Sequence, residues 1–366
     1  MYFSRVAEAS LDGVRPRILV AGGPDGPWVD LRVAQRVRLE RGGADRTAAA
    51  RVAEALVPGS LSAGIAAGEA FLEAARAALA DPSGAGRTEG DLPSLAALDP
   101  SGYRDHMIFA EHFSFGYRRA GRPVPDVLYE LPVGYLGNPA SFIGPGDEMP
   151  WPNYADHMDY ELELGVVIGR EGSNLGPEDV EAHVFGFTIL NDFSARDIQF
   201  REMEGKLGPC KGKHFACSSG PLLATVDELD WRGGLRMQAR LNDETLCDGN
   251  SSEAIFGLDE VVAWASQGEI PAPVGSSAPA PSTAARPSST TANSPPATTS
   301  NWRSRASASS RTRSAPKPRE AGNQSPAAPP ATDPPRPHGA RRPATGPGLQ
   351  PVVAKILCPP RGGAAR

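Results

Sequence analysis

The chain has 366 residues, of which 40% are hydrophobic and 22% charged, and its net charge is −6. The length favours two domains or one large domain with appendages, and the composition excludes collagen-like and fully disordered chains. No apolar run approaches the roughly 18 residues that a membrane span needs, and the first residues lack the pattern of a secretory signal, so we expect a cytoplasmic protein outside the membrane. Four cysteines without Cys-x-x-Cys spacing argue against a zinc site and a disulfide framework.

The charge is unevenly distributed. Residues 271–366 contain 11 Arg and 2 Lys against 2 acidic residues, a net charge of +11, so residues 1–270 carry −17. The same segment has 20 Pro and only seven large apolar residues, too few to offset the conformational entropy lost on folding. We predict that it is disordered. A basic tail could bind nucleic acid non-specifically, but we do not expect nucleic acid as a partner.

Two further regions precede this tail. Residues 1–95 begin with strand-like pieces (RILVAG, PWVDLRV) and continue into an alanine-rich helical stretch over 46–80 that is interrupted near Pro58 and Gly59, which predicts a small N-terminal α+β domain. Residues 96–270 alternate predicted strands with short helices and hold most of the polar residues that look arranged for chemistry. This region is the predicted catalytic domain.

The segment YELELGVVIG, residues 160–169, contains a pair of carboxylates. Alternation along a strand places Glu161 and Glu163 on one face and Leu162 and Leu164 on the other. Such a pair is usually a solvated face, but it can also share a hard cation such as Mg²⁺ or Ca²⁺. Because the strand continues as GVVIG, which is typical of a strand buried on both faces, these carboxylates need a partner.

A second apolar strand, VFGFTILND, ends at Asp192. Ser194 could then cap a helix whose first turn carries Arg196 and Asp197. Asp192 could be a turn or capping residue, or a third metal ligand at the end of its strand. The segment itself leaves both interpretations open.

Lys213 lies in the glycine-bearing loop GPCKGKHF, whose spacing is not that of a phosphate-binding loop. Such a lysine is usually solvated, but near a metal and a carbonyl substrate it could hold an oxyanion.

Asp105 and His112 lie seven residues apart, which would place them on one face of a helix. His112 is the candidate general base, because histidine titrates near neutral pH, and the alternative is a surface histidine. The remaining histidines of the catalytic region are interpreted as structural: His106, His157, His183 and His214.

Taken in order with LPVGYLGNPAS around Tyr135, these motifs resemble the fumarylacetoacetate hydrolase family over roughly residues 96–270. The resemblance implies an α+β protein with a mixed β-roll. It implies Mg²⁺ or Ca²⁺ bound by Asp105, Glu161, Glu163 and Asp192. It also implies catalytic roles for His112 and Lys213, and substrate contacts from Tyr135, Arg196 and Gln199. Met107 departs from the family, whose fumarylacetoacetases have a substrate-binding tyrosine at this position, and this puts the substrate in question.

The resemblance also implies an activity. We expect a metal-dependent hydrolase that cleaves a carbon–carbon bond in a fumarylacetoacetate-like diketo acid, with water activated by His112 and a metal-stabilised enolate, in aromatic catabolism and as a homodimer. Decarboxylases, isomerases and hydratases of keto acids share the enolate, and the motifs do not separate these reactions. An inactive, truncated remnant is a further alternative.

The tail departs abruptly from the family pattern after Glu269. If each codon is read one base out of phase, Pro271 to Ser282 permits Arg-Pro-Gly, two or three further residues and then Gly-Ser-Gly-Thr-Val. Asn293 to Thr312 likewise permits an alternating apolar and acidic strand, and both segments are like those of the family. We hypothesise that one base is missing near codon 270 and that residues 271–366 are out-of-frame translation. A natural basic tail is the alternative.

Overall fold

The computed structural model describes residues 1–10, 13–81, 83–88, 93–119, 121–242 and 244–269, and the backbone of residues 297–298 and 352–355. The helices are α1 (Leu31–Arg41), α2 (Arg46–Leu56), α3 (Leu61–Ala66), α4 (Glu69–Ala80), α5 (Ala110–Arg119), α6 (Val127–Glu130), α7 (Arg196–Glu204) and α8 (Leu258–Ser266). The strands are β1 (Tyr2–Ser10), β2 (Gly13–Ala21), β3 (Val29–Asp30), β4 (Arg104–Met107), β5 (Gly134–Leu136), β6 (Phe142–Ile143), β7 (Glu148–Met149), β8 (Met158–Asp159), β9 (Leu162–Ile168), β10 (Val184–Asp192), β11 (Ser194–Ala195), β12 (Cys217–Thr225), β13 (Arg236–Leu241), β14 (Glu244–Asn250), β15 (Ala297–Thr298) and β16 (Val352–Lys355).

A mixed sheet organises the chain, with strand order β3-β2-β1-β12-β10-β9-β16-β4-β5 and β6 paired to β12. The neighbours from β2 to β9 are antiparallel, whereas β16 runs parallel to β4. Shorter pairs join β8 to β11, β13 to β14 and β7 to β15. The predicted mixed α and β fold is therefore confirmed.

Strand β9 is buried along its whole length because apolar layers cover both faces of the sheet. Val166 packs in a cluster with side chains of α8, such as Val261, whereas the next residue, Val167, packs in a second cluster with side chains of α3 and α4, such as Leu61 and Phe71. Successive residues of a strand point to opposite faces, so β9 needs apolar side chains at consecutive positions. This explains the GVVIG sequence.

The helical stretch predicted over residues 46–80 consists of α2, α3 and α4. Asp45 accepts hydrogen bonds from the N–H groups of Thr47 and Ala48, and Ser60 caps α3 after the predicted interruption. The prediction for PWVDLRV was wrong in its second half. Only Val29 and Asp30 are extended, because the Asp30 carboxylate caps α1 by accepting the N–H of Val33.

The N-terminal strands are continuous with the strands of residues 96–270, the predicted catalytic domain. Tyr2 pairs with Ala224 of β12, so the sheet extends across the predicted boundary at residue 95. Within the predicted tail, β15 pairs with β7, and β16 lies between β9 and β4 with Val353 opposite Asp105. The other residues of the predicted tail, and with them the reading-frame hypothesis, lie outside the described residues.

None of the helices in the described part of the chain has the length and apolar character needed to cross a bilayer.

Candidate metal and catalytic site

Four carboxylates converge at one end of the central strands. Asp105 lies in β4, Glu161 immediately precedes β9, Glu163 lies in β9, and Asp192 ends β10. Each is at most 2% exposed, and one oxygen from each lies within 4.8 Å of the others. The structure thus brings together the four residues predicted as metal ligands.

Strand pairing explains how β9 and β10 deliver their carboxylates to one place. Asn191 lies opposite Leu162, and Leu190 opposite Glu163, so the end of β10 meets the start of β9. The backbone N–H of Asp192 donates to the Glu161 carbonyl at 3.2 Å, and the Asn191 side chain accepts the Glu161 N–H at 3.1 Å. These bonds fix the two backbones from which the carboxylates project.

Two cationic side chains compensate part of the buried negative charge. The Lys213 ammonium is fully buried, donates to Asp192 at 2.7 Å and also donates to Glu161. Arg196 donates from Nη1 to the other Glu161 oxygen at 2.6 Å. Lys213 is therefore a buried ion-pair partner and not a solvated loop cation, and the partner that the Glu-x-Glu pattern required is present.

Negative charge is nevertheless in excess at this site. Burial, followed by the nearby Asp105 and Asp192 carboxylates, holds the pKa of Glu163 well above its usual range. Burial also raises the pKa of Asp192 to about 6, although Lys213 opposes that shift. Both shifts show that the site disfavours full ionisation without a further positive charge.

The donor set fits a divalent cation. All four groups supply carboxylate oxygen, the donor that hard cations such as Mg²⁺ and Ca²⁺ prefer, and a bound cation would offset the repulsion that adds to burial in raising the pKa values. Oxygen ligands alone do not distinguish Mg²⁺ from Ca²⁺.

The three predicted substrate-contacting residues border this cluster. The hydroxyl of the half-buried Tyr135 donates to Asp192, and desolvation holds the pKa of Tyr135 well above its usual range. Arg196 donates to Asp159 at 2.8 Å and to the Gln199 side chain at 3.0 Å, so an anionic substrate would have to take over some of these bonds.

Two local predictions were wrong. Asp105 and His112 do not share a helix face, because Asp105 is extended in β4, opposite Tyr135, and His112 is half-buried in the first turn of α5. Ser194 does not cap α7; its hydroxyl donates to the Asp192 carbonyl at 3.1 Å, and Ala195 occupies the N-cap position without a side-chain bond.

Tyr103 and Cys217 also border the cluster, and neither was predicted from the sequence. The Tyr103 hydroxyl is buried without a hydrogen-bond partner among the described residues, and burial, followed by the charge of Asp192, holds its pKa well above the usual range. The free thiol of Cys217 lies on β12 opposite Asp192, and burial raises its pKa. The two-residue spacing from Tyr103 to Asp105 could have indicated that Tyr103 lies near the cluster, whereas the sequence near Cys217 contains no such indication.

Sequence comparison finds proteins that are similar to the part of the chain that holds this site. The profile described as fumarylacetoacetate (FAA) hydrolase C-terminal matches residues 101–274, which include all four carboxylates. The human mitochondrial oxaloacetate tautomerase FAHD2A is 37% identical over 147 residues, which are 40% of this chain and 45% of that protein. The oxaloacetate tautomerase YisK of Bacillus subtilis is 34% identical over 140 residues, which are 38% of this chain and 46% of that protein. The chain thus spans about half the length of these relatives.

A solved structure supports the fold. The fumarylacetoacetate hydrolase of Exiguobacterium antarcticum aligns over 74% of this chain and 82% of its own with a TM-score of 0.55 at 24% identity. The profile, the relatives and the fold agree with the motifs that resembled this family in the sequence. The resemblance to the fumarylacetoacetate hydrolase family is therefore supported over residues 101–274.

Proposed function

We propose that the protein is a divalent-cation-dependent tautomerase of oxaloacetate or a closely related 2-keto diacid. The observation that carries the proposal is the buried cluster of four carboxylates with the Lys213 ammonium against it. The names of the relatives, which are oxaloacetate tautomerases, favour keto–enol interconversion over the carbon–carbon hydrolysis that the sequence suggested.

The chain's own residues can supply charge and orientation. A divalent cation would supply Lewis-acid polarisation of the substrate oxygens. Lys213 places a fixed ammonium, already desolvated, beside the cluster, where negative charge on an enolate oxygen would develop. Arg196, which is 18% exposed, and Gln199 can turn their N–H groups towards a substrate carboxylate.

The test follows the decay of enol oxaloacetate to its keto form by ultraviolet absorbance, with the full chain in EDTA and then with added Mg²⁺, Mn²⁺ or Ca²⁺. We expect catalysis that requires a cation and falls at least about 100-fold in Glu163→Gln, because a cation ligand is lost. The matched control is Glu171→Gln, a carboxylate on the exposed surface. Cation-independent turnover, or full activity in Glu163→Gln, would reject the proposal.

Carbon–carbon hydrolysis remains the second candidate because of His112. This residue is half-buried in the first turn of α5, five residues after the end of β4 at Met107, and it could activate water there. An acylpyruvate substrate distinguishes the two functions, because hydrolysis releases pyruvate and tautomerisation releases no fragment. Pyruvate release that is lost in His112→Asn would favour the hydrolase.

Turnover of either substrate by the full chain would exclude the inactive remnant. The homodimer, the cytoplasmic location and the role in aromatic catabolism remain predictions.

A further inference from the structure

The loop that delivers Lys213 has little apolar packing of its own. After α7 the chain passes through Lys206 and Gly208, both at positive φ, and Leu207 between them is 80% exposed. Five residues after Gly208, Lys213 is nevertheless fully buried among carboxylates. An exposed loop cannot fix a buried ammonium unless something else holds its backbone.

Glu202, in the last turn of α7, holds that backbone. Its carboxylate accepts the N–H groups of three consecutive loop residues: Cys210 at 2.9 Å, Lys211 at 2.7 Å and Gly212 at 3.0 Å. Burial opposes the charge on Glu202, but these backbone bonds prevail and its pKa is lowered. Charge-assisted bonds of this kind are roughly twice as strong as neutral ones.

The same loop is also held at the other end of α7. The Gly212 carbonyl accepts the Ala195 N–H at 2.8 Å, and a Cβ at residue 212 would lie 2.6 Å from Cα of Gln199. The loop therefore lies flat along the helix that carries Arg196 and Gln199. Lys213 follows directly, with its own N–H donating to the Cys210 carbonyl at 3.0 Å.

We propose that Glu202 is a positioning residue that holds the 210–212 backbone against α7 and thereby fixes the Lys213 ammonium between Glu161 and Asp192. It acts through Lys213 and does not touch the substrate. The inference rests on the proposed function only in taking Lys213 as the group that stabilises the developing negative charge.

The first measurement is amide hydrogen exchange of the full chain in EDTA, which needs no activity. We expect the amides of residues 210–212 to lose their protection in Glu202→Ala and to keep part of it in Glu202→Gln, which retains one acceptor oxygen. The control is Glu204→Ala, on the same helix, whose carboxylate is 66% exposed and lies 4.0 Å from Arg122. Unchanged protection in Glu202→Ala would overturn the proposal whatever the protein catalyses.

The second measurement is a double-mutant cycle on turnover. Misplacement of a catalytic group by about 1 Å costs about 100-fold in rate. We therefore expect Glu202→Ala to lower kcat about 100-fold, with KM within about threefold, and to have no further effect in a Lys213→Met background. A purely structural role would lower activity in both backgrounds, and that result would refute the proposal. No turnover by the wild-type protein would instead refute the proposed function and leave the exchange result as the test.

Discussion

Replacing Lys213 with methionine tests whether the buried ion pair holds the carboxylate cluster together. The substitution keeps the apolar stem and removes the charge that donates to Glu161 and Asp192. Removing one partner of a buried pair costs about 3–5 kcal/mol, because the remaining charge stays buried without compensation.

Protonation limits that cost and makes it depend on pH. The pKa of Asp192 is already raised from 3.8 to about 6 with Lys213 present, and it rises further without the ammonium. A group whose pKa is raised by folding destabilises the protein as pH increases through that pKa. Each pH unit contributes up to about 1.4 kcal/mol per carboxyl, and the wild-type Asp192 is itself protonated below about pH 6, so the loss in Lys213→Met should be about 3–5 kcal/mol at pH 7 and about 2–4 kcal/mol at pH 5.

The assay is urea denaturation in EDTA at both pH values, followed by tryptophan fluorescence, with Lys211→Met as control because that side chain is exposed in the same loop. Saturating Mg²⁺ should reduce the difference in unfolding free energy between variant and wild type, because the cation compensates the carboxylates that Lys213 compensates in the wild type. The prediction would be wrong if Lys213→Met lost less than about 1 kcal/mol of unfolding free energy at pH 7, or if it lost as much at pH 5 as at pH 7.

Three further predictions concern cation binding and packing. Glu163→Gln should weaken Mg²⁺ or Mn²⁺ binding at least about tenfold by calorimetry, and unchanged affinity would remove Glu163 from the ligand set. Wild-type cation affinity should fall as pH decreases through about 6, because burial raises the pKa of Asp192 to that value and its protonated form binds cations poorly; a flat profile between pH 5 and 8 would contradict this. Gly137→Ala should destabilise the protein by about 1–3 kcal/mol, because the new Cβ would overlap the Tyr103 ring. Gly116→Ala, with no atom within 4 Å of its Cβ, should instead stabilise α5 by up to about 1 kcal/mol. If both variants melted at the same temperature as the wild type, both predictions would be wrong.

Local sequence patterns predicted the structure correctly where the feature belongs to a single strand or helix. Alternation in residues 160–169 predicted a buried strand bearing two carboxylates, and β9 with Glu161 and Glu163 in one cluster agrees with it. The apolar run to Asp192 predicted the end of β10, and the interruption near Pro58 and Gly59 predicted the break between helices. These features depend on side-chain periodicity and backbone propensity, which are properties of neighbouring residues.

Local pattern failed where distant pairing overrides it. The seven-residue spacing of Asp105 and His112 suits a helix, but pairing with β5 and β16 on either side keeps Asp105 extended. The second half of PWVDLRV suits a strand, but the Asp30 carboxylate caps α1. In the first case, pairing with distant strands decided between conformations that the sequence allowed; in the second, a capping bond from three residues away decided.

The residue types and their order along the chain predicted oxygen donors on two strands, a lysine in a glycine-bearing loop, and motifs that resemble those of one family. The family resemblance also grouped Asp105 with Glu161, Glu163 and Asp192, but the distances among them and the burial of Lys213 against them come from the folded chain. The tertiary structure also placed Tyr103 at the cluster and gave Glu202 three loop amides to hold. The physical reason is that charge interactions depend on distance and burial, and only the folding of separate strands and loops into one sheet end sets these.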